Sequence, residues 1–190
     1  MIDIDASAVE RTRRYLGAIP GATERAMARA LNVAVRRARD EALERIVARY
    51  EVKGADVRAR LSTQLARPSS LSATLRAKSP SLPLHYFPHT PSSPGTGGPG
   101  APALTATVKR GETREVPGAF VAKLGSKARI AMRTGAKTAT GKDALRVLYT
   151  IPIAEMLGVD DVRAAVERRA VEVLEDTLPE EITRELEAAQ

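Results

Sequence analysis

Between about Ala22 and Tyr50, apolar residues fall at Met27, Leu31, Ala34, Val35, Ala38, Ala42, Ile46 and Tyr50. They stand three or four apart, the period of one helix face. Ala26, Ala30, Val33 and Val47 widen that face, and its many small residues predict that another element packs closely on it. Asp40 and Glu41 lie near Arg36, Arg37 and Arg45, spacings that suit helical ion pairs. Pro20-Gly21 separates this long helix from a shorter one over about Ala6–Leu16. Gly54 closes it, and Asp56–Leu65 reads as a further short helix.

From Leu71 the period falls to two. Leu71, Ala73, Leu75 and Ala77 alternate with Ser72, Thr74, Arg76 and Lys78, as in a half-buried strand. Further strands are expected at Leu104–Lys109, Glu115–Leu124, Arg129–Arg133 and Leu145–Thr150. Their links are too short for helical crossovers, so one antiparallel sheet of four or five strands is expected. Seven of the twelve prolines and four glycines crowd into the interval 79–103, which predicts a long inserted loop, mobile at least from His89 to Pro102. After Ile151-Pro152 the helical period returns, with Asp160 as an expected N-cap and an apolar stripe of Val162, Val166, Ala170, Val173 and Leu174. Leu178-Pro179 is expected to interrupt it before a last acidic helix over Glu180–Ala189. The pattern predicts one α+β domain over residues 1–190: helical at 6–65, a sheet over 71–150 with the loop inserted, and C-terminal helices over 152–189.

Charge changes this picture. The 190 residues carry a formal +7, but residues 68–159 hold a net +8 and residues 160–190 a net −6. An acidic end on a basic body can dock on basic residues of the same or a neighbouring subunit, discourage polyanions from binding there, or stand as a solvated helix; docking is the expectation taken here. The chain has no cysteine, no tryptophan and two histidines, which excludes disulfides, thiolate metal sites and cysteine nucleophiles and leaves little for catalysis. No stretch approaches the roughly 20 apolar residues of a membrane span, and Met1–Asp5 lacks the apolar run of a secretory leader.

Candidate chemistry is sparse. His85 and His89 are four apart, but Pro83, Pro88 and Pro91 forbid the helix that would make this a metal grip. Gly95–Gly100 lacks the strand, helix and Gly-Lys-Ser/Thr of a phosphate loop. Paired acids such as Asp160-Asp161 and Glu180-Glu181 read as a solvated helix face. No metal, cofactor or catalytic group is expected. Lys109-Arg110 and the series Lys123, Lys127, Arg129, Arg133 and Lys137 could neutralise phosphates. With six Phe and Tyr in all, any nucleic-acid contact would be electrostatic and indifferent to sequence.

Four short stretches carry a resemblance. Ile19-Pro20-Gly21-Ala22 opens the long helix, and Val116-Pro117-Gly118-Ala119-Phe120-Val121 lies mid-chain. Ile151-Pro152-Ile153-Ala154 leads into the C-terminal helices, and Leu178-Pro179-Glu180-Glu181-Ile182 begins the last one. In this order and spacing they resemble the minor tail protein Z family of long-tailed bacteriophages and prophages. The resemblance implies a non-enzymatic virion protein of the tail and neck, assembled in the host cytoplasm. It would complete the head-proximal end of the tail as a homo-oligomeric ring, a hexamer being the expected number, with a long N-terminal helix on a small antiparallel sheet. Implied partners are tail-terminator or tail-tube proteins, head-connector proteins and, nonspecifically, packaged DNA, with no membrane. The seven cations named above are then the candidate lumen-facing set, and Tyr86, Phe87, Pro117 and Phe120 the candidate subunit contacts. Pro117-Gly118 is expected at a bulge or sheet edge, with Phe120 either in the core or reaching a neighbour. The alternative is a small basic nucleic-acid-binding protein without sequence preference.

Overall fold

The computed structural model describes residues 6–78, 80–95 and 102–190. Helix α1 (Ala6–Leu16) leads through a turn to α2 (Ala22–Arg49). Gly21 makes that turn at φ +69°, where a side chain would be strained and would meet the Arg25 guanidinium. A short α3 (Gly54–Arg58) follows. Among the described residues ten strands then alternate with turns: β1 (Leu61–Gln64), β2 (Thr74–Ala77), β3 (Ser81–Pro83), β4 (His89–Thr90), β5 (Thr105–Lys109), β6 (Glu112–Glu115), β7 (Ala119–Leu124), β8 (Lys127–Lys137), β9 (Asp143–Val147) and β10 (Tyr149–Pro152). Two helices close the chain, α4 (Ile153–Gly158) and α5 (Asp160–Glu187). The α+β class is that of the sequence pattern.

Helices α2 and α5 each span 28 residues and lie antiparallel: Arg25 meets Glu185 at one end and Arg49 meets Asp161 at the other. Every fourth residue of α2 from Ala22 to Ala42 is alanine and buried, and Ile46 extends the row. Six methyl groups in a row let the helix axes approach closely along an i±4 ridge. Val173, Leu174 and Leu178 cluster with Met27, Leu31, Ala34 and Val35 towards one end of the pair. Val162, Val166 and Ala170 cluster with Ala38, Ala42, Ile46 and Tyr50 towards the other. The seam read from the sequence is thus the core, from Met27 to Tyr50.

The α2 C-terminus is tied to the strands. Glu51 donates its backbone N–H to Val108 at 2.9 Å, and Arg110 donates its own to Arg49 at 3.0 Å. The Arg110 side chain also donates Nε–H to the Val47 carbonyl at 2.9 Å, satisfying one of the orphan acceptors of the last helical turn.

Several expectations are corrected. The single sheet is instead four small antiparallel ones: β1–β2, β3–β10, β4–β5–β6 and β7–β8–β9. The strand expected over Glu115–Leu124 is two strands, because Pro117 withdraws a ladder donor and Gly118 turns the chain at φ +72°. Residues 61–64 pair with β2, Leu61 opposite Ala77, instead of continuing a helix. The Pro/Gly interval is partly built in: Leu82 and Phe87 enter the helical core, Leu84 the core beneath β7 and β8, and His89-Thr90 pairs with β5. Residues 96–101 of that loop lie outside the described residues.

Pro179 does not end the C-terminal helix, which is continuous to Glu187. Pro179 sits on the exposed face, where water can serve the acceptor that its missing N–H leaves open, while Leu178, Glu181 and Glu185 hold the buried face in place. Asp160 is the first helical residue and not the cap: Val159 holds that place, and the Asp160 carboxylate takes a hydrogen bond from Arg163 at 3.0 Å.

Candidate assembly and nucleic-acid interface

The candidate cations divide into four environments. Lys109 and Arg110 lie at the junction of β5 with α2, where Lys109 stands 4.0 Å from Glu112 and Arg110 3.3 Å from Glu51. Both are held locally. Lys123 and Lys127 flank the β7–β8 turn at Gly125-Ser126; both are exposed and neither has an acidic partner among the described residues. Arg129 points to the inserted segment and donates to His85 Nε2 at 3.3 Å. Burial, then the charges of Arg129, His89 and Lys127, push the His85 pKa down, so this imidazole is a neutral acceptor.

Further along β8, Arg133 lies 4.7 Å from the centre of the Phe120 ring, a cation–π distance, and 3.3 Å from Asp143. Lys137 donates to the same Asp143 carboxylate at 2.6 Å. That hydrogen bond, with the charges of Lys137 and Arg133, holds the Asp143 carboxyl below the usual carboxylate range. The two ends of β8 therefore differ: a free cationic turn at Lys127 and a partly neutralised one at Lys137.

Of the four candidate contact residues, Phe87 is a core residue at 2% exposure and is withdrawn from any subunit surface. Tyr86 is 42% exposed, its ring edge-on to His85. Pro117 is exposed in the β6–β7 turn, and Phe120 is half-buried beneath Arg133 rather than in the core.

The acidic end docks, but not on the basic middle of the chain. Glu185 accepts from Arg25 Nη2 at 2.6 Å and Arg29 Nη2 at 2.6 Å, and Glu181 from Arg29 Nε at 2.5 Å and Arg184 Nη1 at 2.9 Å. Both carboxylates are 5% exposed, so the reading of Glu181 as a solvated acid is wrong. The Arg25 hydrogen bond outweighs burial and holds the Glu185 carboxyl below its ordinary range. Burial opposes charge on Arg29, yet hydrogen bonds from it to Glu181 and Glu185 raise its pKa. The legible signal was a pair of i, i+4 spacings, Arg25/Arg29 and Glu181/Glu185, on two helices of opposite direction.

Among the described residues no group of three or more His, Asp or Glu could hold a metal, and no helix is long and apolar enough to cross a membrane. The family model for prophage minor tail protein Z matches residues 10–189, nearly the whole chain. The chain belongs to that family. It is a structural component of the phage tail. No curated protein and no solved structure matches it.

Proposed function

We propose that this minor tail protein completes the head-proximal end of the tail as a homo-oligomeric ring, a hexamer, and presents one surface to tail-tube or terminator proteins and another to the head connector. In this reading the whole chain is one non-enzymatic tail-completion domain, assembled into virions in the host cytoplasm. The observation that carries the ring-and-channel reading is the β7–β8 turn. Lys123 and Lys127 stand exposed there with no acid among the described residues to neutralise them. Such a turn suits transient contact with a passing polyanion: it attracts phosphate without reading bases. Lys109, Arg110, Arg133 and Lys137 are each engaged by an acid of the same chain and contribute less.

Tails assembled without the protein test this directly. They should fail to join DNA-filled heads, and the purified protein should restore joining in vitro. Full joining in its absence would overturn the reading.

A further inference from the structure

Beyond Met132, β8 no longer pairs with β7 and continues only against β9, Arg133 opposite Leu145 and Lys137 opposite Asp143. Residues 133–143, 145 and 146 are exposed and Ala144 is half-buried. This is a two-stranded arm with no core of its own, and such ribbons are marginal unless something lies on them. It carries four cations and one acid, and Leu145 is a large apolar side chain left 37% exposed.

The outer face of α5 is its complement. Glu172, Glu175, Asp176 and Glu180 are exposed along that face, and Val171, 45% exposed, stands at its edge one turn before Glu175. Glu172 and Asp176, and Asp176 and Glu180, are like charges four residues apart, an arrangement that weakens a helix standing alone. Glu175, Asp176 and Glu180 have no ion-pair partner among the described residues. The stretch of β8 beyond β7, from Arg133 to Lys137, is about 13 Å long at strand rise, and the acidic face from Glu172 to Glu180 about 12 Å at helix rise. Each surface sets one exposed apolar residue beside charges of a dominant sign, and the signs are opposite. An apolar contact flanked by complementary charge suits a small interface.

We propose that the β8–β9 arm of one copy lies along the acidic face of α5 of the next copy, with Leu145 against Val171. The two surfaces differ, so the contact is heterologous and propagates in one direction around a ring. This rests on the reading that the protein assembles with copies of itself, and it specifies the joint. It also separates duties along β8: the Lys127 end is left for DNA, and the Lys137 end holds the neighbour.

A reciprocal charge swap tests it on the full chain. One variant carries Lys142→Glu and Arg146→Glu on the arm, the other Glu175→Lys and Asp176→Lys on α5; all four positions are exposed, so circular dichroism should match the parent. Each variant alone should lose assembly, its dissociation constant rising about tenfold or more, and an equimolar mixture should regain it, read by mass photometry. Alternation of the two variants then builds even-numbered rings. If both variants assemble like the parent, the arm contact is wrong and the ring stands on other surfaces. If the mixture stays dissociated, the pairing of these two faces is wrong. If the parent itself is monomeric at all concentrations, the self-assembly reading fails with it. If the arm variant assembles normally but loses duplex affinity, the arm is a polyanion contact.

Discussion

Arg29 and Glu185 are 156 positions apart in the chain, and their side chains meet at 2.6 Å. The contact fastens the start of α2 to the end of α5, so the acidic C-terminal segment is part of the helical pair and not a loose tail.

Removing one side of this cluster should be costly. Arg29→Ala leaves Glu181 and Glu185 buried with fewer cations, and breaking a fully buried pair costs about 3–5 kcal/mol. Because Arg29 is 35% and Arg25 43% exposed, solvent lowers the expected cost to about 2 kcal/mol. The thermal midpoint should fall by about 4–8 °C. An unchanged midpoint would mean that the cluster is solvated in solution.

The same cluster sets an acid limit. Glu185 is held below its ordinary value of about 4.3, so its contribution is complete above that pH and is lost as pH falls through the lower folded value. Urea titrations between pH 6 and pH 3 should show stability declining below about pH 4, with a smaller decline for Glu185→Gln. Equal declines would place the titrating groups elsewhere.

The alanine row of α2 leaves no room for larger side chains. Ala34→Leu should force α2 and α5 apart and cost about 1–3 kcal/mol or more. Leu31→Asp and Ile46→Asp should be worse, burying an unpaired carboxylate at positions of 0% exposure. Circular dichroism and solubility check all three. Normal folding of both Asp variants would contradict the placement of the seam.

Within the Pro-rich insert, neighbours should behave oppositely. Phe87→Ala should cost about 3–5 kcal/mol as a core truncation, and Tyr86→Ala about 0.5 kcal/mol or less. Chemical denaturation of the two variants distinguishes a built-in segment from a dispensable loop.

The helices were legible because their apolar period is uninterrupted: Met27 to Tyr50 repeats over more than six turns, and Val162 to Leu174 over more than three. Pro179 misled because proline is read as a stop, whereas on an exposed face its local cost is met by burial of Leu178 and by the Glu181 and Glu185 ion pairs on the turns that follow. The strands were located but their grouping was not. Apart from β8, the strands have two to six residues, periods too short to reveal partners, and the splitting at Val116–Gly118 depends on one turn. Phe87 was misassigned because prolines around it mask its burial in a cluster whose other members lie mostly far away in sequence. The cations of the candidate interface were legible by type. Their neutralisation by Glu51, Glu112 and Asp143 was not, since it depends on which strands pair.

The cationic turn has its own test. Lys123→Glu with Lys127→Glu should weaken binding to two unrelated DNA duplexes equally and flatten the salt dependence, with assembly unchanged. Preference for one duplex would favour a nucleic-acid-binding protein over a tail component that only tolerates DNA.

The central claim, that this chain works as a closed ring, is tested most directly by the mass of the purified protein in solution. Mass photometry or light scattering should find one species of six 20.4-kDa protomers, stable to dilution and weakened by salt. A monomer at every concentration, or an open-ended ladder of sizes, would contradict it.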